Sequence, residues 1–86
     1  MLAFRTEIRN SPTEQTIKIF LKDIAQNAKV KQRLEAMGDI KLVEIRQSVE
    51  RNRVSEHLTV FRKKGVDINE LQGTLKIYLK KYFRTK

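Results

Sequence analysis

Residues 53–66, RVSEHLTVFRKKGV, decide how the rest of the chain is read. With about 3.6 residues per turn, Val54, Leu58 and Phe61 point one way while Ser55, Glu56, Thr59, Arg62 and Lys63 point another. The stretch therefore predicts an amphipathic helix over residues 53–64, one face in the core and the other turned to a partner. Gly65 stands where a helix C-terminus takes a left-handed residue, and Val66 where a Schellman ending packs back on Phe61.

The remainder of the chain sets limits on that partner. Eighty-six residues make one domain with a small core, for which homodimer formation is a natural supplement. Nineteen Lys and Arg against ten Asp and Glu leave a net charge of +9, which favours nucleic acid or an acidic membrane surface. The charge is uneven: residues 1–50 hold nine basic and seven acidic residues, net +2, and residues 51–86 hold ten and three, net +7. With no cysteine there is no disulfide framework and no thiolate metal site. No apolar run is long enough to span a bilayer and residues 1–10 lack the apolar core of a signal peptide, so no membrane role and a cytoplasmic placement are expected.

Taken in order, residues 1–10 fit either a short strand or a loose helical turn through Leu2, Phe4 and Ile8. Ser11-Pro12-Thr13-Glu14 then reads as a helix start, with Ser11 as N-cap, Pro12 in the first turn and Glu14 closing a capping box. Ile17, Phe20, Leu21, Ile24 and Ala28 form one apolar stripe, which jumps around the helix at Val30, Leu34 and Met37. That phase change predicts two helices, residues 12–26 and 28–37, the second ended by Gly38. Residues 39–42 alternate polar and apolar as a very short strand does, and Leu42, Ile45 and Val49 then have helical spacing, giving a helix over residues 43–49. Residues 50–52 are the turn, with Asn52 as cap of the helix over residues 53–64. Two short helices joined by a tight turn, the second basic, form a helix-turn-helix pattern.

Beyond Gly65 two readings compete. Asp67-Ile68-Asn69-Glu70 resembles a capping box, and Ile68, Leu71, Leu75, Tyr78 and Tyr82 recur at helical spacing. Alternatively a hairpin turns at Gln72-Gly73, setting Ile68 opposite Ile77 and Val66 opposite Leu79, so that both strands turn their apolar side chains to one face. This cross-strand agreement favours the hairpin.

The order of elements is that of a winged helix, and VSEHLTVFRKKGV resembles the recognition-helix signature of ArsR-type, and secondarily MarR-type, repressors. Residues 38–49, GDIKLVEIRQSV, are similar to the ArsR-type segment of short strand and following helix, and Gly73 falls where those proteins carry the glycine of the wing. The resemblance implies a mainly α fold with a small β-hairpin: a winged helix-turn-helix over residues 38–80, preceded by an extra N-terminal helix over residues 11–26 that serves dimerisation. The turn at residues 50–52 is shorter than the family's and lacks its glycine. The cysteine, carboxylate and histidine ligands of the metal-sensing members have no counterpart, so no metal and no other cofactor is expected.

The expected function is a sequence-specific regulator of transcription bound to double-stranded DNA, with residues 53–64 in the major groove and residues 66–79 on the backbone or minor groove. Ser55, Glu56 and Thr59 are the expected base readers. Arg51, Asn52, Arg53, Arg62 and Lys63 are assigned mostly to phosphates, with Arg51 or Arg53 available for bidentate guanine contact; Gln72, Thr74 and Lys76 are the wing contacts. Glu56 can accept from a cytosine amine or merely pair with Arg53 or Lys63. His57 is the one histidine, bordering the Val54 and Leu58 face, and suits a structural or phosphate-neighbouring role. No nucleophile constellation or glycine-rich phosphate loop is present, so no enzyme is expected. The alternative is a winged helix serving as an RNA-binding or protein-interaction module. Residues 21–30, LKDIAQNAKV, resemble the first helix of lactose-repressor-type headpieces, but Lys29 stands where glycine is favoured and Glu35 where burial is required.

Overall fold

The structure, a computed structural model, describes residues 3–84. The contribution expected of Leu2 lies outside them. The elements are β1 (Phe4–Asn10), β2 (Gln15–Leu21), a short 3-10 turn (Ile24–Gln26), α1 (Asn27–Glu35), β3 (Ile40–Glu50), β4 (Arg53–Arg62) and α2 (Ile68–Arg84). The strands form one antiparallel sheet in the order β1-β2-β4-β3. The expected winged helix-turn-helix is thus overturned: the fold is a four-stranded sheet with two helices on one face.

Each correction has a local cause. Ser11 does accept the Glu14 amide, at 3.1 Å, as a cap would, but the Ser11 amide also donates to the Glu14 carbonyl at 2.9 Å and the chain reverses into β2. The expected helix over residues 12–26 is instead strand β2 and the 3-10 turn, because Ile17, Ile19 and Leu21 bury at a period of two. The two expected helices at residues 43–49 and 53–64 are the strands of a long hairpin. In β4 the alternation Leu58 and Val60 inward, His57, Thr59 and Phe61 outward, outweighs the helical spacing of Val54, Leu58 and Phe61.

The hairpin turns at Arg51 and Asn52, both with positive φ, 49° and 65°. That is the two-residue turn whose twist matches paired strands, and asparagine tolerates it well. Its brevity suits adjacent antiparallel strands. Gly65 has φ +88°, the left-handed state expected of it, but in the turn between β4 and α2. The wing over residues 66–79 is likewise overturned. Asp67 accepts the Glu70 amide at 2.9 Å and starts α2, which buries Ile68, Leu71, Leu75 and Leu79 along one stripe. The expected helix over residues 28–37 stands as α1, with Val30 and Leu34 buried.

All of the buried aliphatic side chains meet in one cluster between the sheet and the helices. Ile17, Ile19 and Leu21 of β2, Leu58 and Val60 of β4 and Val43 of β3 share one sheet face, as the registers require. Across it, α1 packs mainly on β3 and α2 on β1 and β2. Tyr82 Oη donates to Gln26 Oε1 at 2.8 Å, and Gln72 donates to Thr6 at 3.2 Å, tying α2 to the 3-10 turn and to β1. β2 pairs with β4 only through Thr16–Ile19 against Leu58–Phe61, so within the sheet residues 53–57 pair with β3 alone. The end of the hairpin is therefore a two-stranded ribbon that projects past β2.

Candidate nucleic-acid interface

With both helices on one face, the other face of the sheet is uncovered. Alternation puts Arg5, Glu7 and Arg9 of β1 there, with Thr16, Lys18 and Phe20 of β2 directly opposite them or next in register. β4 adds Arg53, Ser55, His57, Thr59 and Phe61, and β3 adds Leu42, Glu44, Arg46 and Ser48. Rings and cations therefore interleave across the strands.

The side chains form two stacked groups. The Phe20 and His57 rings lie 5.1 Å apart, and the Arg5 guanidinium sits 4.2 Å above the Phe20 centroid. Closer to the β1–β2 turn, Arg46 stands 5.5 Å from the Phe61 ring. Both acidic side chains described on this face are already engaged: Glu7 by Arg5 at 2.6 Å, and Glu44 by Arg46 through its Nε at 2.9 Å. Lys18, Arg9 and Arg53 take part in no ion pair among the described residues, so the face keeps a positive balance.

A cavity of about 460 Å³ opens among Arg5, Glu7, Arg9, Lys18, Phe20, Ser48, Ser55 and His57, with the Glu7 carboxylate held by Arg5. The Ser48 and Ser55 hydroxyls are 2.9 Å apart at its rim. His57 is only 5% exposed, and among the described residues neither ring nitrogen has a hydrogen-bond partner; Thr59 Oγ1, also buried, has none there either. Burial, then the neighbouring Lys18 and Arg46, hold the His57 imidazolium below its ordinary pKa, opposed weakly by Glu7. The ring is thus neutral near pH 7 and offers one donor and one acceptor. A buried polar ring without a described hydrogen-bond partner, beside two cations, is an exception among buried polar groups.

The structure disperses the other expected site residues. Arg51 and Asn52 form the ribbon tip, and Arg53, Ser55 and Thr59 do share the open face. Glu56 is on the helix side, where its carboxylate accepts from Asn27 at 2.7 Å. Arg62 donates to the Val66 carbonyl at 2.8 Å and to Gln15 at 3.2 Å, and so braces the start of α2. Lys63 lies in the following turn, near Lys41 and Lys64. Gln72 is bonded to Thr6, while Thr74 and Lys76 are exposed on α2, behind the sheet. Arg5, Arg9, Lys18, Phe20 and Arg46 were not among the expected contacts. Their signal is the half of the strand alternation opposite the core residues in RTEIR, TIKIF and EIRQS, which a helical reading hides.

Among the described residues no helix is long and apolar enough to cross a membrane, and no three His, Asp or Glu side chains gather as metal ligands would. No protein-family model matches the chain, and neither the curated proteins nor the solved structures contain a significant match to it.

Proposed function

We propose that this chain binds single-stranded nucleic acid across the open face of its sheet. The observation that supports the reading is the cavity lined by Phe20 and by His57, whose ring nitrogens have no hydrogen-bond partner among the described residues, and ringed by Arg5, Arg9 and Lys18, with Glu7 held by Arg5. Lys18 and Arg9 receive backbone phosphates. A base stacks against the Phe20 and His57 pair or on the Arg5 guanidinium above it, and the Ser48 and Ser55 hydroxyls and the imidazole bond its edge or the sugar. Stacking on aromatic rings with cations along the backbone is how sheet surfaces hold unpaired strands, each stacked base contributing about 1–3 kcal/mol. A duplex cannot offer its base faces to such a surface.

Fluorescence anisotropy with labelled single-stranded and duplex oligonucleotides at several salt concentrations tests this. Single strands are expected to bind more tightly, with a log–log salt slope of about −2 to −3 for three or four phosphates neutralised. Lys18→Ala and Phe20→Ala each weaken single-strand binding several-fold, whereas Lys80→Ala on α2 has little effect. Equal affinity for duplex, or indifference to Lys18 and Phe20, removes the reading.

A second reading rests on the ribbon. Arg51, Asn52 and Arg53 sit at the tip of a two-stranded arm that projects beyond β2, and such a ribbon fits the major groove of double-stranded DNA. In that case duplex binds better than single strand, and Arg53→Ala costs more than Lys18→Ala.

A further inference from the structure

Strand β3 is an edge of the sheet, eleven residues long, and half of its backbone groups face outward. The two-residue turn makes Glu50 and Arg53 a hydrogen-bonded pair, so even-numbered residues of β3 bond to β4 and odd-numbered ones from Val43 to Val49 turn their N–H and C=O groups away. The Val43 amide agrees with this phase: it donates to Glu35 Oε2 of α1 at 3.1 Å. Glu35 closes the edge there. Ile45, Gln47 and Val49 carry on past it with no described strand alongside, and on the helix side of the ribbon Ile45, Val49 and Val54 are 38%, 71% and 64% exposed. A long edge with exposed β-branched residues, no proline and no covering element is a template for another strand.

We propose that a second copy of this chain pairs antiparallel along β3, about a twofold axis at Gln47. The register follows from the groups that are open. An axis at Gln47 engages the outward groups of Ile45, Gln47 and Val49 and leaves the Val43 amide with Glu35. An axis at Arg46 sets Arg46 against Arg46 of the partner subunit and, like an axis at Ile45, requires the amide that Glu35 already holds. An axis at Ser48 slides Ile45 out to the turn.

The side chains agree with this choice. Ile45 comes opposite Val49 of the partner subunit, so the exposed apolar row of one ribbon continues the buried row of the other, ending at Leu58. Arg51 of the partner subunit arrives opposite Val43, beside the Glu35 carboxylate, which Lys31 also engages at 2.8 Å, and the same pairing recurs across the axis. The register also sets Glu44 across from residue 50, another glutamate, with Arg46 next to it and bonded to Glu44. The result is one continuous eight-stranded sheet in which the two open faces run together. The pairing does not depend on what that face binds.

Sedimentation equilibrium of the full chain without nucleic acid tests the proposal. The expected mass rises with concentration towards twice the 10.2 kDa of one chain; a chain that stays monomeric at every accessible concentration overturns it. Gln47→Pro removes one outward N–H and no bond to β4, so it is expected to give a monomer with unchanged circular dichroism. A folded variant that still dimerises overturns the interface. Should Gln47→Pro unfold, Arg51→Glu decides: it is expected to weaken the dimer roughly five- to tenfold. Dimerisation indifferent to Arg51→Glu overturns the register.

Discussion

At the scale of single residues, His57 ties the stability of the fold to its binding surface. Its imidazole is buried beside Phe20 with Lys18 and Arg46 nearby, so the folded chain takes up a proton there less readily than the unfolded chain does. As pH falls below about 6.5, the unfolded state gains the proton first, and stability must fall with it. The contribution is complete above that value and is lost progressively towards the lowered folded pKa. Urea midpoints measured between about pH 8 and pH 5 are expected to drop for the native chain. His57→Phe, which keeps a ring against Phe20, is expected to flatten that part of the profile. Nucleic-acid binding should run the other way. A phosphate brought close raises the pKa of the ring, so affinity grows as pH falls over the same range, and His57→Phe removes the trend. A shared sign for the two profiles would mean that the ligand does not approach His57.

At the scale of elements, the β3–β4 hairpin and α2 were the parts hardest to read, for related reasons. The segment VSEHLTVF satisfies a helical period through Val54, Leu58 and Phe61 and a strand period through Val54, Leu58 and Val60. Only pairing with residues 40–50, far along the chain, decides between them. The signal that could have decided was the turn: two residues at Arg51 and Asn52 are too few for crossing helices but right for a hairpin. Both residues adopt positive φ, at a cost for Arg51 of about 1 kcal/mol. Asn52→Gly is expected to stabilise the fold by roughly 0.5 kcal/mol and Asn52→Ala to destabilise it by about 1 kcal/mol, read from urea midpoints. If the two changes had the same sign, the turn would not be what sets the conformation at position 52. For α2 the capping residues at Asp67 and Glu70 were visible, and the competing hairpin rested on an accidental cross-strand match. Leu75, fully buried against the sheet, puts a value on the helix: Leu75→Ala is expected to cost about 2–5 kcal/mol.

At the scale of the whole molecule, what was legible from the sequence was local: helix α1, the turn at residues 50–52, the left-handed Gly65 and the positive charge. What was not legible was which strands meet. The candidate site shows the same division. Arg53, Ser55 and Thr59 were assigned as part of a helix and share the open face because strand alternation also sets them apart from the core residues, while Arg9, Lys18 and Phe20 join them only through pairing of β2 with β1 and β4.

A net charge of +9 attracts any polyanion, so affinity alone does not locate a site on this protein. Two variants of equal charge separate the site from the field. Arg9→Glu with Lys18→Glu reverses two cations on the open face, and Lys76→Glu with Lys80→Glu reverses two on the exposed side of α2. Each lowers the net charge by four, so long-range steering, and with it the association rate, falls to a similar extent in both. The contacts made after arrival differ. The open-face variant is expected to lose at least about tenfold more single-strand affinity than the helix variant, mostly as faster dissociation, in stopped-flow measurements. Equal losses carried wholly by the association rate would leave only a basic protein in a salt-dependent field, with no site on the sheet.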